Sequence, residues 1–352
     1  MKKKIALFLT LVLLLGAAAG CAGTPVVYYN ECTCPTGSHN TTADETQSAP
    51  AEGALKTGLA VMSSVAKSED AKQADYDVTV VAVTVDDDGV IADCVIDSIG
   101  TTVAFDATGT ITSDLSAQIL TKNELGDDYG MKAYGGSKYE WYEQAGALAD
   151  FAVGKTVDEL NNGAIDESGK APAGSDLAST ATIYLGGYVA AIEEAVNNAQ
   201  YLGAQSGDEL RLEVISSVSS SKNATQDNEG IAQLDSDIMV ITVKEGVITS
   251  CCIDSLQAKV NFDTTGTITT DLAVPVLTKN QQGENYGMVA WGGAKYEWNE
   301  QAAAFAEYVT GKTAAQVAGI AVSEGKPTDA DLASTVTIGI GGFQALVAKA
   351  MQ

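Results

Sequence analysis

The chain has one histidine, His39, and one arginine, Arg211, among its 352 residues. His39 stands in an N-terminal segment without periodicity, so no Ser-His-Asp or Cys-His arrangement can be drawn. General acid–base chemistry would have to rest on carboxylates, which are abundant but gathered in no motif. Basic residues are scarce as a class: 20 Lys and Arg stand against 46 Asp and Glu, a formal net charge of −26. That balance argues against a nucleic-acid partner, whose binding is built on cationic contacts to phosphate. It also argues against a free phosphate-bearing ligand held by an arginine clamp, although a covalently attached phosphate escapes the objection. Beyond the N-terminus no apolar run is long enough to span a bilayer. Most of the acidity reads as solubility of an exported surface.

What is present is a short block that occurs twice. Asp176-Leu177-Ala178-Ser179-Thr180-Ala181-Thr182-Ile183 is answered by Asp331-Leu332-Ala333-Ser334-Thr335-Val336-Thr337-Ile338. After each block comes a glycine pair, Gly186-Gly187 or Gly341-Gly342, and then an apolar pattern at helical spacing. The pattern is Tyr188, Val189, Ile192 and Val196 in one copy and Phe343, Leu346, Val347 and Ala350 in the other. Each threonine is therefore expected just before a helix N-terminus, where unpaired N–H groups and the helix dipole suit a phosphate. The glycines would let the backbone approach it. Ser and Thr that merely cap the helix give the same local pattern.

Met1-Lys2-Lys3-Lys4, the apolar run 5–15 and small residues up to Gly20 read as a secretory signal peptide. Cys21 after Ala18-Ala19-Gly20 resembles the lipobox of bacterial lipoproteins, which implies lipidation of Cys21 and two-chain anchoring on the outer face of the cell membrane. Residues 22–53 are rich in Thr, Ser, Ala, Gly and Pro and read as a flexible tether. Cys32, Cys34 and His39 fall short of a closed zinc site, and no metal site is expected.

Two homologous units follow, expected at 54–202 and 203–352. In the first, Val78, Val80 and Ala82 alternate toward Asp86-Asp87-Asp88-Gly89, and an apolar pattern resumes from Val90 to Ile96, a hairpin signal. A second turn, Ala107-Thr108-Gly109, joins segments around Phe105 and Ile111. A glycine-punctuated loop, Tyr129-Gly130-Met131 to Gly135-Gly136, leads into a helix with Trp141, Ala145, Leu148 and Phe151 on one face. The second unit repeats this programme 157 residues later: from Thr121 to Ala145 against Thr278 to Ala302, 17 of 25 positions are identical. Two domain-sized copies make a duplication, not a solenoid. Cys94 and Cys251 are equivalent, with Cys252 beside the latter; equivalent positions lie apart, so small buried core residues are expected in preference to disulfides.

The pattern Asp-x-x-Ser-x-Ala-Thr resembles the signature of the FMN-binding domain family, Asp-x-x-Ser/Thr-Gly-Ala-Ser/Thr. In that family the last hydroxyl carries FMN through a phosphoester made by a separate flavin transferase. The resemblance implies Thr182 and Thr337 as the covalent acceptors, Asp176 and Asp331 as acidic recognition positions, and Ser179 and Ser334 as the intermediate hydroxyls. Thr180 and Thr335 replace the family's glycine, and Val336 its alanine, which makes Thr180 and Thr335 alternative acceptors. Tyr129, Met131, Tyr134 and Trp141, with Tyr286, Met288, Trp291 and Trp298, are the candidates to pack against the flavin ring; at helical spacing they equally suit a core.

The expected architecture is α+β, two tandem homologous domains, each an antiparallel sheet with packed helices. The implied function is that of a membrane-anchored extracellular electron carrier without a substrate of its own. It would hold two covalent FMN and pass electrons from a membrane dehydrogenase linked to quinol to extracellular acceptors. A solute-binding or sensory surface lipoprotein without covalent flavin, and a surface module without cofactor, are the alternatives.

Overall fold

The computed structural model describes residues 52–352. The signal peptide, Cys21, and the tether with Cys32, Cys34 and His39 lie outside the described residues. The fold is α+β. The first half runs β1 (Lys56–Ser64), β2 (Gln73–Val85) and β3 (Ile91–Ala104), then α1 (Lys122–Leu125), α2 (Trp141–Ala152), α3 (Val157–Gly163) and α4 (Gly186–Asn197). The second repeats it as β4 (Glu209–Ser217), β5 (Gly230–Lys244), β6 (Val247–Phe262), α5 (Lys279–Gln282), α6 (Trp298–Val309) and α7 (Ala314–Ala318). A two-residue strand pair, β7 (Val322–Ser323) and β8 (Lys326–Pro327), precedes α8 (Ala330–Ala333) and α9 (Gly341–Ala350). Each half builds an antiparallel meander, in the order β1-β2-β3 or β4-β5-β6. No described helix is long and apolar enough to cross a membrane.

The β2–β3 hairpin closes where the acidic turn lies. The Asp86 carboxylate accepts from the N–H groups of Asp88 and Val90, and Gly89 takes the left-handed conformation the turn requires (φ 75°). Along β2 the inner face carries Tyr76, Val78, Val80 and Ala82. Its outer face changes character partway. Asp75, Asp77 and Thr79 are half-buried, whereas Val81, Val83 and Val85 are buried beneath α2 and α4. The helices thus cover only one end of the sheet, and the polar end of the outer face becomes the floor of a cleft.

The inner faces of the two sheets pack on each other and share a single core, in which Val78 and Val80 stand with Ile238 and Val240. Phe105 stacks on its own equivalent, Phe262, with ring centroids 4.1 Å apart and planes 2° from parallel. The contacts are reciprocal. Ala71 N–H donates to Gly266 C=O and Ala224 N–H to Gly109 C=O; Ile111 N–H donates to Asn223 and Ile268 N–H to Asp70. Such mutual pairing of equivalent residues is the mark of an isologous interface, here inside one chain. The outer faces hold separate cores, with Trp141, Leu148 and Ile192 in the first half and Trp298, Phe305 and Leu346 in the second.

Cys94 and Cys251 are free and buried, as equivalent positions set apart should be. Cys252 departs from that expectation: it is disulfide-bonded.

Candidate functional site

The repeated block folds as a helical turn with its polar side chains outward. Leu177–Ser179 forms a 3-10 turn, and α8 occupies the equivalent stretch of the second half. Leu177 and Leu332 are buried and pin the turn to the core, while Asp176, Ser179, Asp331 and Ser334 are exposed and Thr180 and Thr335 half-buried. Ser179 donates to Asp176 C=O at 2.7 Å, and Ser334 to Asp331 C=O at 2.7 Å. The carboxylates themselves project away, accessible to another protein.

Thr182 and Thr337 are exposed, and neither caps the following helix. Leu185 and Ile340 stand at the N-caps of α4 and α9, and neither helix has a side-chain cap. In the first turn of α4, Gly186 N–H donates to the Gly169 carbonyl and Tyr188 N–H to the Leu185 carbonyl, which leaves the Gly187 N–H for an anion; at α9 the Asp237 carboxylate itself faces the helix start beside Gly342. The hydroxyls are held from beneath instead. Gln144 Oε1 accepts from Thr182 Oγ1 at 3.0 Å, from Thr182 N–H at 2.8 Å and from Ile183 N–H at 3.1 Å. Gln301 receives Thr337 Oγ1, Thr337 N–H and Ile338 N–H at 3.1, 2.8 and 3.2 Å. Both glutamines are fully buried, on α2 and α6. Sequence reading passed over them; the signal was their place inside the stretch where the two halves are most alike.

Beside Thr182 lies a cleft of about 610 Å³, between the uncovered end of the sheet, the glycine loop and the start of α4. Three of the expected ring-packing residues of the first half, Tyr129, Met131 and Trp141, line it together with Ile183, Tyr184 and Tyr188. Trp141 serves both readings: it is buried in the helix core, donates from Nε1 to the Tyr188 hydroxyl at 3.0 Å, and turns one side to the cleft. Glu140 fixes the loop, accepting from the N–H groups of Met131 and Lys132 at 2.7 and 2.9 Å. Glu297 does the same for Met288 and Val289. Tyr134 does not line the first cleft; it and Trp291 are 92% and 81% exposed and fold back over Gly130 and Gly287 at the loop tips, where Trp291 lines a separate pocket of about 610 Å³ with Glu284, Val289 and Glu300.

Lys122 was not foreseen. It is 8% exposed, lines the cleft, and has its ammonium 5.4 Å from the Tyr129 ring and 5.1 Å from the Trp141 ring. Lys279 repeats the arrangement over Tyr286 and Trp298 at 5.3 and 4.7 Å. Burial pushes both ammonium groups below the usual lysine range. An aromatic-walled cleft with an inward cation fits a flat, conjugated ligand that gains negative charge on reduction, with an anionic tail at the helix N-terminus. The donor set of the first half therefore suits FMN, with Thr182 at its lip. Comparisons with protein-family models, with curated proteins and with solved structures find no match.

Proposed function

We propose that this protein is a membrane-anchored extracellular electron carrier bearing two FMN, each joined by a phosphoester to Thr182 or Thr337. A flavin transferase makes the bonds, recognising the exposed Asp176 and Asp331 turns. Electrons come from a membrane dehydrogenase linked to quinol and leave to extracellular acceptors such as ferric iron or a soluble shuttle. In sequence, the lipobox, the polar tether, the two copies and the Gly-Asp-Asp-Tyr-Gly-Met and Asp-Leu-Ala-Ser-Thr segments resemble PplA, the flavinylated electron-transfer lipoprotein of Gram-positive bacteria. Outside the cell a non-covalent flavin would be lost to dilution, whereas an ester keeps one redox centre per half. Flavin supplies the electron chemistry; the chain orients the ring and tunes its potential.

The observation that carries this reading is the exposed residue Thr182, its hydroxyl anchored on buried Gln144 at the lip of the Tyr129, Met131 and Trp141 cleft. The test is the denatured intact mass of the mature protein made in cells that contain the transferase. It should rise by one FMN less water per site, and the gain should vanish in the Thr182→Val, Thr337→Val double variant. Unchanged mass in a competent host would sink the proposal. Peptide mapping decides between Thr182 and Thr180, and between Thr337 and Thr335.

A further inference from the structure

The equivalent site of the second half, around Lys279, Tyr286 and Trp298, repeats the backbone of the first cleft but not its charge. In the first, Asp77 pairs with Lys67 at 2.6 Å, Thr79 lies between Met62 and Ser98 of the neighbouring strands, and Lys122 points inward. In the second, Asp235 pairs with Ser217 across the strands as Asp77 does with Ser64. Asp237 lies between Ile215 and Ser255, where the first half has Thr79. Ser220 stands in place of Lys67: Ser68 and Ser221 close the same turn, onto the carbonyls of Val65 and Val218, one residue later. The Asp237 carboxylate faces the start of α9, so close that a Cβ on Gly342 would come within 2.8 Å of Oδ2. Asp235 and Asp237 both act on Lys279 and Tyr286, as expected of groups facing the same cleft. Among the described residues neither has an ion-pair partner.

The first cleft thus carries Lys67, Lys122 and Asp77, one net positive charge, and the second carries Lys279, Asp235 and Asp237, one net negative charge. Asp75 in the first half and Lys259 in the second oppose this difference. Asp75 stands two residues, about 7 Å, further along its strand. Lys259 lies across from Gln233, the same step beyond Asp235; it is exposed, as Lys67 is, so solvent and salt weaken both lysines. The inward Lys122 is matched by Lys279, and the unpaired Asp237 carries most of the difference.

We propose that the two sites hold their flavins at different reduction potentials, the first higher, so that electrons entering at the second cleft pass to the first. This rests on reading both sites as flavin-bearing. Two-electron reduction of the ring with uptake of one proton leaves it one unit more negative, which a cationic cleft favours and an anionic one opposes. In the internal transfer the second-site ring gives up two electrons and one proton and the first-site ring takes them. The quinol-linked dehydrogenase of the proposed function is the reductant that restores the second site.

Thr337→Val and Thr182→Val each leave a single site, and their occupancy is fixed by denaturing mass before a spectroscopic redox titration at low ionic strength. The first-site protein should reduce with an equilibrium constant about tenfold larger, ~30 mV for a two-electron couple. Thr79→Asp should lower its midpoint. Asp237→Thr, or the more conservative Asp237→Asn, should raise that of the second-site protein. Equal or reversed midpoints, or charge variants that move nothing while one FMN is present on each protein, would overturn the asymmetry alone. Failure of both proteins to acquire covalent flavin would overturn the carrier reading and this inference together.

Discussion

At the residue scale, the side chains that decide the site are buried polar groups working across long stretches of chain. Gln144 reaches Thr182 38 residues away, and a buried amide oxygen serving three donors is costly to remove, because each donor would lose its partner. Asp254 is a second such group. Its carboxylate accepts from the N–H groups of Ser255 and Asn280, tying β6 to α5, and burial pushes its pKa up to about 6. In the unfolded chain the same carboxyl titrates near 3.8. Between these values the native state binds the extra proton, so the group favours folding fully below the lower value and loses that contribution as pH rises through about 6. Urea midpoints measured from about pH 4 to 7 should therefore fall more steeply with rising pH in the native protein than in Asp254→Asn. Parallel curves would remove Asp254 from the pH dependence.

At the scale of elements, the duplication shows how one packing problem is solved twice. The C-terminal turn of α4 lies against β1, where Gly58 faces the Ala195 carbonyl so closely that no Cβ fits between them. The equivalent strand position in the second half is Arg211, whose guanidinium donates to the Ala350 carbonyl, the counterpart of Ala195. One half admits the helix by leaving out a side chain; the other meets the helix end with a cation, favourable at the negative end of the dipole. Gly58→Ala should push α4 away from the sheet and cost about 1–3 kcal/mol, the usual range for an overpacked contact. An unchanged denaturation midpoint would show that α4 shifts freely. The helices α2 and α4 were legible in the sequence because their apolar spacing is local, and so was the β2–β3 hairpin, with its acidic turn and Gly89. Strand β1 was not: Lys56–Ser64 is too short and mixed to stand out before its partner β2 is known.

For the molecule as a whole, the shared core makes the two halves interdependent. Removing one ring of the Phe105–Phe262 stack opens a cavity where both sheets meet. Phe262→Ala should cost about 3–5 kcal/mol, and the loss should appear in one transition reporting both halves, not in a separate transition of the second. Two resolved transitions, only one of them shifted, would show that the halves unfold independently. The Lys349–Glu124 ion pair, at 2.9 Å, crosses between the halves, and Lys349 also pairs with Glu213 of its own half at 3.0 Å. They are partly exposed and contribute little beside the apolar contact.

The sequence alone determined the duplication, the hairpins, the helices that follow each Asp…Thr block and the residues of that block, because these rest on short-range periodicity and on identity between copies. The tertiary structure alone decided the rest. A strand buried on both faces reads as a continuous apolar run, and nothing in the run says which face meets helices and which meets the other half. For the same reason the cleft floor, the grip of Gln144 on Thr182 and the opposed charges of the two clefts emerged only once β2 and β5 were seen beneath their helices. Those features depend on distances between residues that the chain order keeps far apart.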